Sequence, residues 1–210
     1  MLREMRVEDF VREVGSSSPA PGGGSVAALA GALSAALVCM VAELTMNKKG
    51  YEDYRDDMIR IKGKAKDAME ELIRLVDEDT EAFNLVMKAY RMPKNNEEEK
   101  RKRKEEIEKA LKNAALVPLK TMEKCTELFS VLPEIASKGN VNSITDVGVA
   151  AALCNAAIFS AALNVEINLK GIEDYDFKED VVSKVTVLAE DSKKLQDVMD
   201  TVMSKIRDMD

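Results

Sequence analysis

The chain contains no His, no Trp and a single Gln among its 210 residues, and aromatic side chains make up only 4%. The missing imidazole excludes a Ser-His-Asp or Cys-His relay, an imidazole general base and any His-ligated metal. Three cysteines, Cys39, Cys125 and Cys154, lie far apart among apolar neighbours, so there is no CxxC pair and no tetrahedral thiolate site, and no metal is expected. An odd number of such thiols suits a reducing cytoplasm better than a disulfide scaffold. Chemistry must therefore run on carboxylates, amines, amides, hydroxyls and backbone dipoles. The net charge of −7 argues against an electrostatic nucleic-acid binder. The charged N-terminus MLREMRVEDF lacks the hydrophobic core of a signal peptide. The apolar stretch from Val26 to Ala42 approaches the lower edge of a membrane span, but Ala dominates it and Gly31 and Ser34 interrupt it. It reads as a helix buried on all sides in a bundle, with no membrane partner.

What is present is helical periodicity. Val7, Phe10, Val11 and Val14 share a face of a short helix over 5–14. The breaker cluster SSSPAPGGG (16–24) precedes a small-residue helix over about 25–46. A long amphipathic helix over 53–90 carries Met58, Ile61, Ala65, Met69, Leu72, Val76, Phe83 and Val86 at three- and four-residue spacing. Glu97–Lys109 holds six acids against six bases, which reads as a solvated helical face. Apolar spacing resumes from Ile107 to Phe129, with kinks or breaks expected at Pro118 and Pro133. A second polar loop, SKGNVNSITD (137–146), opens a second small-residue helix from Val147 to about Asn168. A last helix over 178–207 aligns Val181, Val185, Leu188, Ser192, Leu195, Met199, Val202 and Ile206. The expected architecture is one all-α domain over 1–210, a bundle of about six helices with two Ala/Gly-rich central ones. Each of those two follows an unusual polar loop, and the two loops are expected to lie together and define the site.

The stretch Gly22-Gly23-Gly24-Ser25 can turn backbone N–H groups toward a carboxylate or phosphate at a helix N-terminus, with the Ser25 hydroxyl as a further donor. The competing reading is a flexible connector with Ser25 as N-cap. No strand precedes these glycines, so the formal GxGxxA match does not make a dinucleotide fold. Asp146 opens the second small-residue helix; it is either a dipole-compensating cap or a proton-transfer group beside the amides of Asn140 and Asn142. Asn164 and Asn168, four residues apart on an otherwise apolar surface, either bond between helices or meet a polar ligand. Asp79 shares a face with Phe83 and is expected to look inward, whereas Asp77 reads as solvated. Lys48 and Lys49, after the first small-residue helix, are either C-terminal cations or anion ligands.

SSSPAPGGGSVAALAGAL (16–33), DEDTEAFNLVM (77–87), ALKNAALVPL (110–119), GNVNSITDVGVAA (139–151) and ALNVEINL (162–169) closely resemble the cyclodeaminase/cyclohydrolase family of folate enzymes. Ser34, Glu43 and Thr145 depart from its usual residues, and TMNKKGY (45–51) fits only loosely. The resemblance implies an up-and-down helical bundle that forms a homodimer or larger homo-oligomer in the cytoplasm. It implies a tetrahydrofolate derivative as substrate, with no covalently bound cofactor. The implied activity is cyclodeamination of 5-formiminotetrahydrofolate to 5,10-methenyltetrahydrofolate and ammonia, a step of one-carbon metabolism and histidine degradation. Methenyltetrahydrofolate cyclohydrolase is the alternative, and a non-catalytic oligomerisation or ligand-binding bundle is the reading from another class. Carried onto this chain, the resemblance points to Gly22, Gly23, Gly24, Ser25, Asp146, Asn164 and Asn168. With no His, Asp146 is the first candidate for proton transfer and Asp79 the second; Lys48 and Asn140 complete the expected substrate contacts.

Overall fold

The computed structural model describes residues 1–191 and 194–209. Its helices are α1 (Val7–Val14), α2 (Gly23–Met46), α3 (Arg55–Tyr90), α4 (Glu97–Phe129), α5 (Leu132–Lys138), α6 (Ile144–Leu169), α7 (Tyr175–Asp191) and α8 (Leu195–Arg207), and no strand occurs among the described residues. The expected all-α bundle is what forms. Its frame is a ring of four long helices in which α2 touches α3, α3 touches α4, α4 touches α6, and α6 returns to α2. Helices α7 and α8 lie against the outside of that ring, on α4 and α6 and on α6 and α5.

Small side chains set how closely the ring closes. A Cβ on Gly31 would come within 2.6 Å of Cys125 Sγ and 3.2 Å of Leu72 Cδ1, so the absence of one lets α2 sink toward α3 and α4 together. Ser34, the departure noted above, donates its buried hydroxyl to the Ala150 carbonyl at 2.6 Å and ties α2 to α6. Around this seam Leu72, Leu75, Met122, Leu128, Ile135 and Ile158 are fully buried. At about 25 cal/mol per Å² of apolar surface removed from water, such large side chains each contribute on the order of 2 kcal/mol.

Four local expectations need correction. Pro118 does not break its helix: α4 runs unbroken through it, because a side chain from α6 replaces the lost backbone bond, as described below. Pro133 does fall at a break, at the start of α5. The apolar face of α1 buries only Phe10, and Val7 and Val11 stay 82% and 62% exposed. Asp77 is not solvated: it accepts the Leu2 N–H at 2.5 Å, pairs with Arg3 Nε at 3.3 Å, and so pins the N-terminal segment to α3. The last apolar stripe is carried by two helices, α7 and α8, rather than one. Ser192, placed on that stripe, lies outside the described residues.

Helix α2 does not meet the expectation of burial on all sides, and α6 shares its exposure. By length and composition both could cross a membrane, and both are built into the ring. Each nevertheless leaves one flank open. Leu33, Met40 and Leu44 on α2 and Phe159, Leu163 and Ile167 on α6 are 40–64% exposed.

Candidate functional site

At one end of the ring, the loop before α2 meets the last third of α3 and the last turns of α6. Pro19, Ala20, Gly22, Gly23 and Gly24, with Asp79, Phe83, Val86, Met87 and Tyr90 of α3, Ala114 of α4, and Asn164, Ile167 and Asn168 of α6, enclose a cavity of about 410 Å³. The residues of α3 follow at spacings of four, three, one and three, one face of the helix. Phe83 and Val86 read as core residues in the sequence; Val86 is buried in the core and also lines the cleft, while Phe83 is half-buried in the cleft's apolar wall.

Asp79 is the pivot of this cleft. It lies over the first turn of α2, where Ser25 donates its hydroxyl to Asp79 Oδ2 at 3.0 Å and its backbone N–H as well. A Cβ on Gly24 would fall 2.0 Å from Asp79 Oδ1, so glycine is required there to admit the carboxylate. Two expectations change as a result. The anion held at this helix N-terminus is a side chain of the protein itself, from α3, rather than a ligand carboxylate or phosphate. Ser25 is fully buried, with its hydroxyl engaged by Asp79 and 3.2 Å from Thr80 Oγ1; it is neither a ligand donor nor the N-cap, a position taken by Gly22. Burial raises the Asp79 carboxyl above the ordinary aspartate value, and the two Ser25 bonds offset part of that rise.

The two asparagines are oriented by backbone carbonyls. Pro118 has no N–H to give the carbonyl four residues earlier, that of Ala114. Asn168 Nδ2 fills the place, donating to Ala114 O at 3.0 Å and to Asn164 O at 2.9 Å. Asn164 Nδ2 donates to Ser160 O at 2.8 Å. Asn168 thus spends both of its amide N–H groups on the protein and Asn164 one of its two, and neither Oδ1 accepts from any described residue. The cleft therefore offers two amide acceptors and one carboxyl beside an aromatic and aliphatic wall, a setting for a flat heterocycle that carries N–H donors.

Lys48, Asn140 and Asp146 do not join it. Helices α2 and α6 run antiparallel, as the contacts of Gly23 with Asn164, Ser34 with Ala150 and Thr45 with Asn140 show. At 1.5 Å per residue, Asp146 stands about 27 Å along α6 from Asn164, so within one protomer the two polar loops occupy opposite ends. There the Asn140 N–H donates to Thr45 Oγ1 at 2.9 Å, the Val141 N–H to Tyr51 Oη at 3.1 Å, and the Asn142 N–H to Asn140 Oδ1 at 3.1 Å. Asn140 is buried, and Asp146 and Lys48 are half-buried. Among the described residues no group of three or more Cys, Asp or Glu side chains is placed to hold a metal ion.

The fold and the cleft define a class: a helical bundle with a carboxyl-and-amide site at the end of a small-residue helix pair. The family model described as formiminotransferase-cyclodeaminase matches residues 6–187, and the chain belongs to that family. It is 41% identical over 201 residues to a methenyltetrahydrofolate cyclohydrolase of Methylorubrum extorquens, covering 95% of this chain and 97% of that one. It is also 41% identical over 185 residues to the formimidoyltransferase-cyclodeaminase of Gallus gallus, covering 88% of this chain but only 34% of the bird protein. The chain thus spans about a third of such two-activity relatives. The crystal structure of a formiminotetrahydrofolate cyclodeaminase from Thermotoga maritima superposes with a TM-score of 0.83 at 33% identity, over 100% of this chain and 99% of that one.

Proposed function

We propose that this chain is a folate one-carbon enzyme that cyclodeaminates 5-formiminotetrahydrofolate to 5,10-methenyltetrahydrofolate and ammonia. The observation that carries the reading is Asp79, a half-buried carboxyl with a raised pKa facing a cleft of heterocycle size. In the reaction, N10 of the folate attacks the formimino carbon and a tetrahedral centre forms. The proton leaving N10 and the proton needed by the departing ammonia can both pass through Asp79, because its carboxyl titrates closer to neutrality than an exposed one. Such general acid–base help is typically worth roughly 10²–10⁴ in rate. Asn164 and Asn168 hold the ring through their Oδ1 atoms, and Phe83, Met87 and Tyr90 exclude water from one face. Asp79 thereby takes first place over Asp146.

Methenyltetrahydrofolate cyclohydrolase, in which water attacks the same carbon, is the second reading, and the Methylorubrum relative favours it. Purified protein assayed with the formimino and the methenyl substrate side by side separates the two. Ammonia release with growth of the methenyl chromophore supports cyclodeamination. Turnover of the methenyl compound alone supports hydrolysis, and turnover of neither refutes both.

The same reading places the enzyme in the cytoplasm, in histidine degradation, as a homodimer. The open apolar flanks of α2 and α6 are the surface a second copy would cover. With the two-fold axis across these antiparallel helices, Asp146 of each copy comes level with Asp79 of the other. Sedimentation at micromolar concentration tests the dimer, and a monomer refutes it. Mixing Asp79→Asn with Asp146→Asn chains tests the shared site: random pairing restores about a quarter of the wild-type activity if each site takes one residue from each copy, and none otherwise.

A further inference from the structure

A second cleft of about 360 Å³ lies farther along α4, lined by Arg103, Lys104, Ile107, Glu108, Gly171 and Glu173. The two are in line on one face of the helix, since Arg103, Ile107, Leu111 and Ala114 recur at spacings of four, four and three. Tyr90 joins them: it lines the first cleft, and the Arg103 guanidinium of the second lies 5.8 Å over its ring. From Ala114 to Arg103 the helix rises about 17 Å, comparable with the distance from the ring system of an extended folate to its glutamyl carboxylates.

The charges of this outer cleft are not equivalent. Lys104 pairs with Glu173 at 2.6 Å. Glu108 accepts the Asp174 N–H at 3.1 Å and lies 3.7 Å from Lys112. Arg103 alone has no carboxylate within ion-pair distance among the described residues. Its Nε and Nη2 donate to the Tyr90 carbonyl at 3.3 and 3.0 Å, which fixes the half-buried guanidinium and leaves its remaining N–H donors free. At the other end, the Asp79 carboxyl already lies at the N-terminus of α2 and accepts from Ser25, so a ligand carboxylate there would have to share that position with it.

We infer that Arg103 is the carboxylate anchor of the substrate: the tail of an amino-dicarboxylic acid, the glutamyl group of the folate, lies in the outer cleft while the ring sits between Asp79 and the two asparagines. The inference rests on the folate reading above. It assigns the direction of the ligand and makes Arg103 a specificity-determining residue that does not take part in proton transfer.

The test compares the glutamyl substrate with its pteroate counterpart, which lacks the tail. Wild type prefers the glutamyl form in kcat/KM, and Arg103→Gln reduces that preference roughly tenfold, the effect entering through KM. Arg103→Lys recovers part of it. The Tm of each variant controls for folding. A wild type indifferent to the tail, or a variant that slows both substrates by the same factor, overturns the assignment. If wild type turns over neither compound, the functional reading fails instead. Calorimetric titration with folate and pteroate then still decides the anchor: a tail-dependent affinity lost in Arg103→Gln supports it, and equal affinities overturn it.

Discussion

The loops that lead into α2 and α6 look alike as sequence, each polar and each opening an Ala-rich helix, but they are wired differently. The loop at 139–143 is closed on itself and its neighbours, because Thr45, Tyr51 and Asn140 satisfy its backbone donors. The segment at 19–24 ends in Gly24, whose lack of a side chain lets a carboxyl from another helix lie on the first turn of α2. One end of the bundle is thus a finished joint and the other an open cleft. Composition marks both ends, but only the source of the hydrogen-bonding partners tells them apart.

The sharpest way to break this contrast is Asp79→Asn, which keeps an acceptor for Ser25 but cannot exchange a proton. We expect kcat to fall roughly 10²–10⁴-fold with folate binding still measurable, and a variant with wild-type kcat would remove Asp79 from the chemistry. The same variant tests the electrostatics. A carboxyl whose folded pKa lies above its unfolded value contributes stability fully below the unfolded value and loses it as pH rises through the folded value. Relative to wild type, the Tm of Asp79→Asn should therefore improve from acid to neutral pH. A gap that is constant with pH contradicts the raised pKa.

Next in size is a pair of changes inside the glycine loop. Gly24→Ala puts a methyl onto Asp79 and should cost about 1–3 kcal/mol in urea unfolding. Gly22→Ala meets nothing within 4 Å and has a negative φ, so it should stay within about 0.5 kcal/mol. Equal costs would mean that Asp79 does not rest on Gly24. At the opposite end, Thr45→Val orphans the Asn140 N–H and should cost about 1–3 kcal/mol, a loss of stability read by the same unfolding assay. An effect below about 0.5 kcal/mol there would show that the joint is not closed as described.

The smallest expected effect is a coupling. Asn168→Ala alone leaves the Ala114 carbonyl without a donor, while Asn168→Ala with Pro118→Ala gives that carbonyl a backbone N–H again. The double variant should be more stable than additivity allows by roughly 0.5–3 kcal/mol. Strict additivity would separate the proline from the asparagine.

Much of the fold was readable because its signals are local. Three- and four-residue apolar spacing placed α3, and Ala-rich composition after a polar loop placed α2 and α6, each to within a few residues. Gly22, Gly23, Gly24, Asp79, Asn164 and Asn168 were singled out because glycines, a carboxyl and amides are unusual on apolar faces, and the structure gathers them at one cleft. What could not be read was long-range. Antiparallel packing of α2 on α6 sends Asp146, Asn140 and Lys48 to the far end, and no spacing rule carries that information. Ser25 was misread because its partner, Asp79, is 54 positions away. The wall formed by Phe83, Val86 and Tyr90 had a usable signal, the continuation of Asp79's own helix face, which core periodicity masked. Arg103 had none, buried in a charge run that reads as solvated surface.

The proline in α4 has a consequence beyond its helix. A proline usually subtracts from the element that holds it; here it exports a backbone acceptor across the groove, and that acceptor sets which end of an amide the ligand meets. The polarity of the cleft at Asn168 is accordingly written by a residue that touches no ligand. Exchanging Pro118 for any residue with an N–H would release one of the two bonds that orient the Asn168 amide, leaving the one to Asn164 O, so that a helix-interior position becomes a dial for what the cleft accepts.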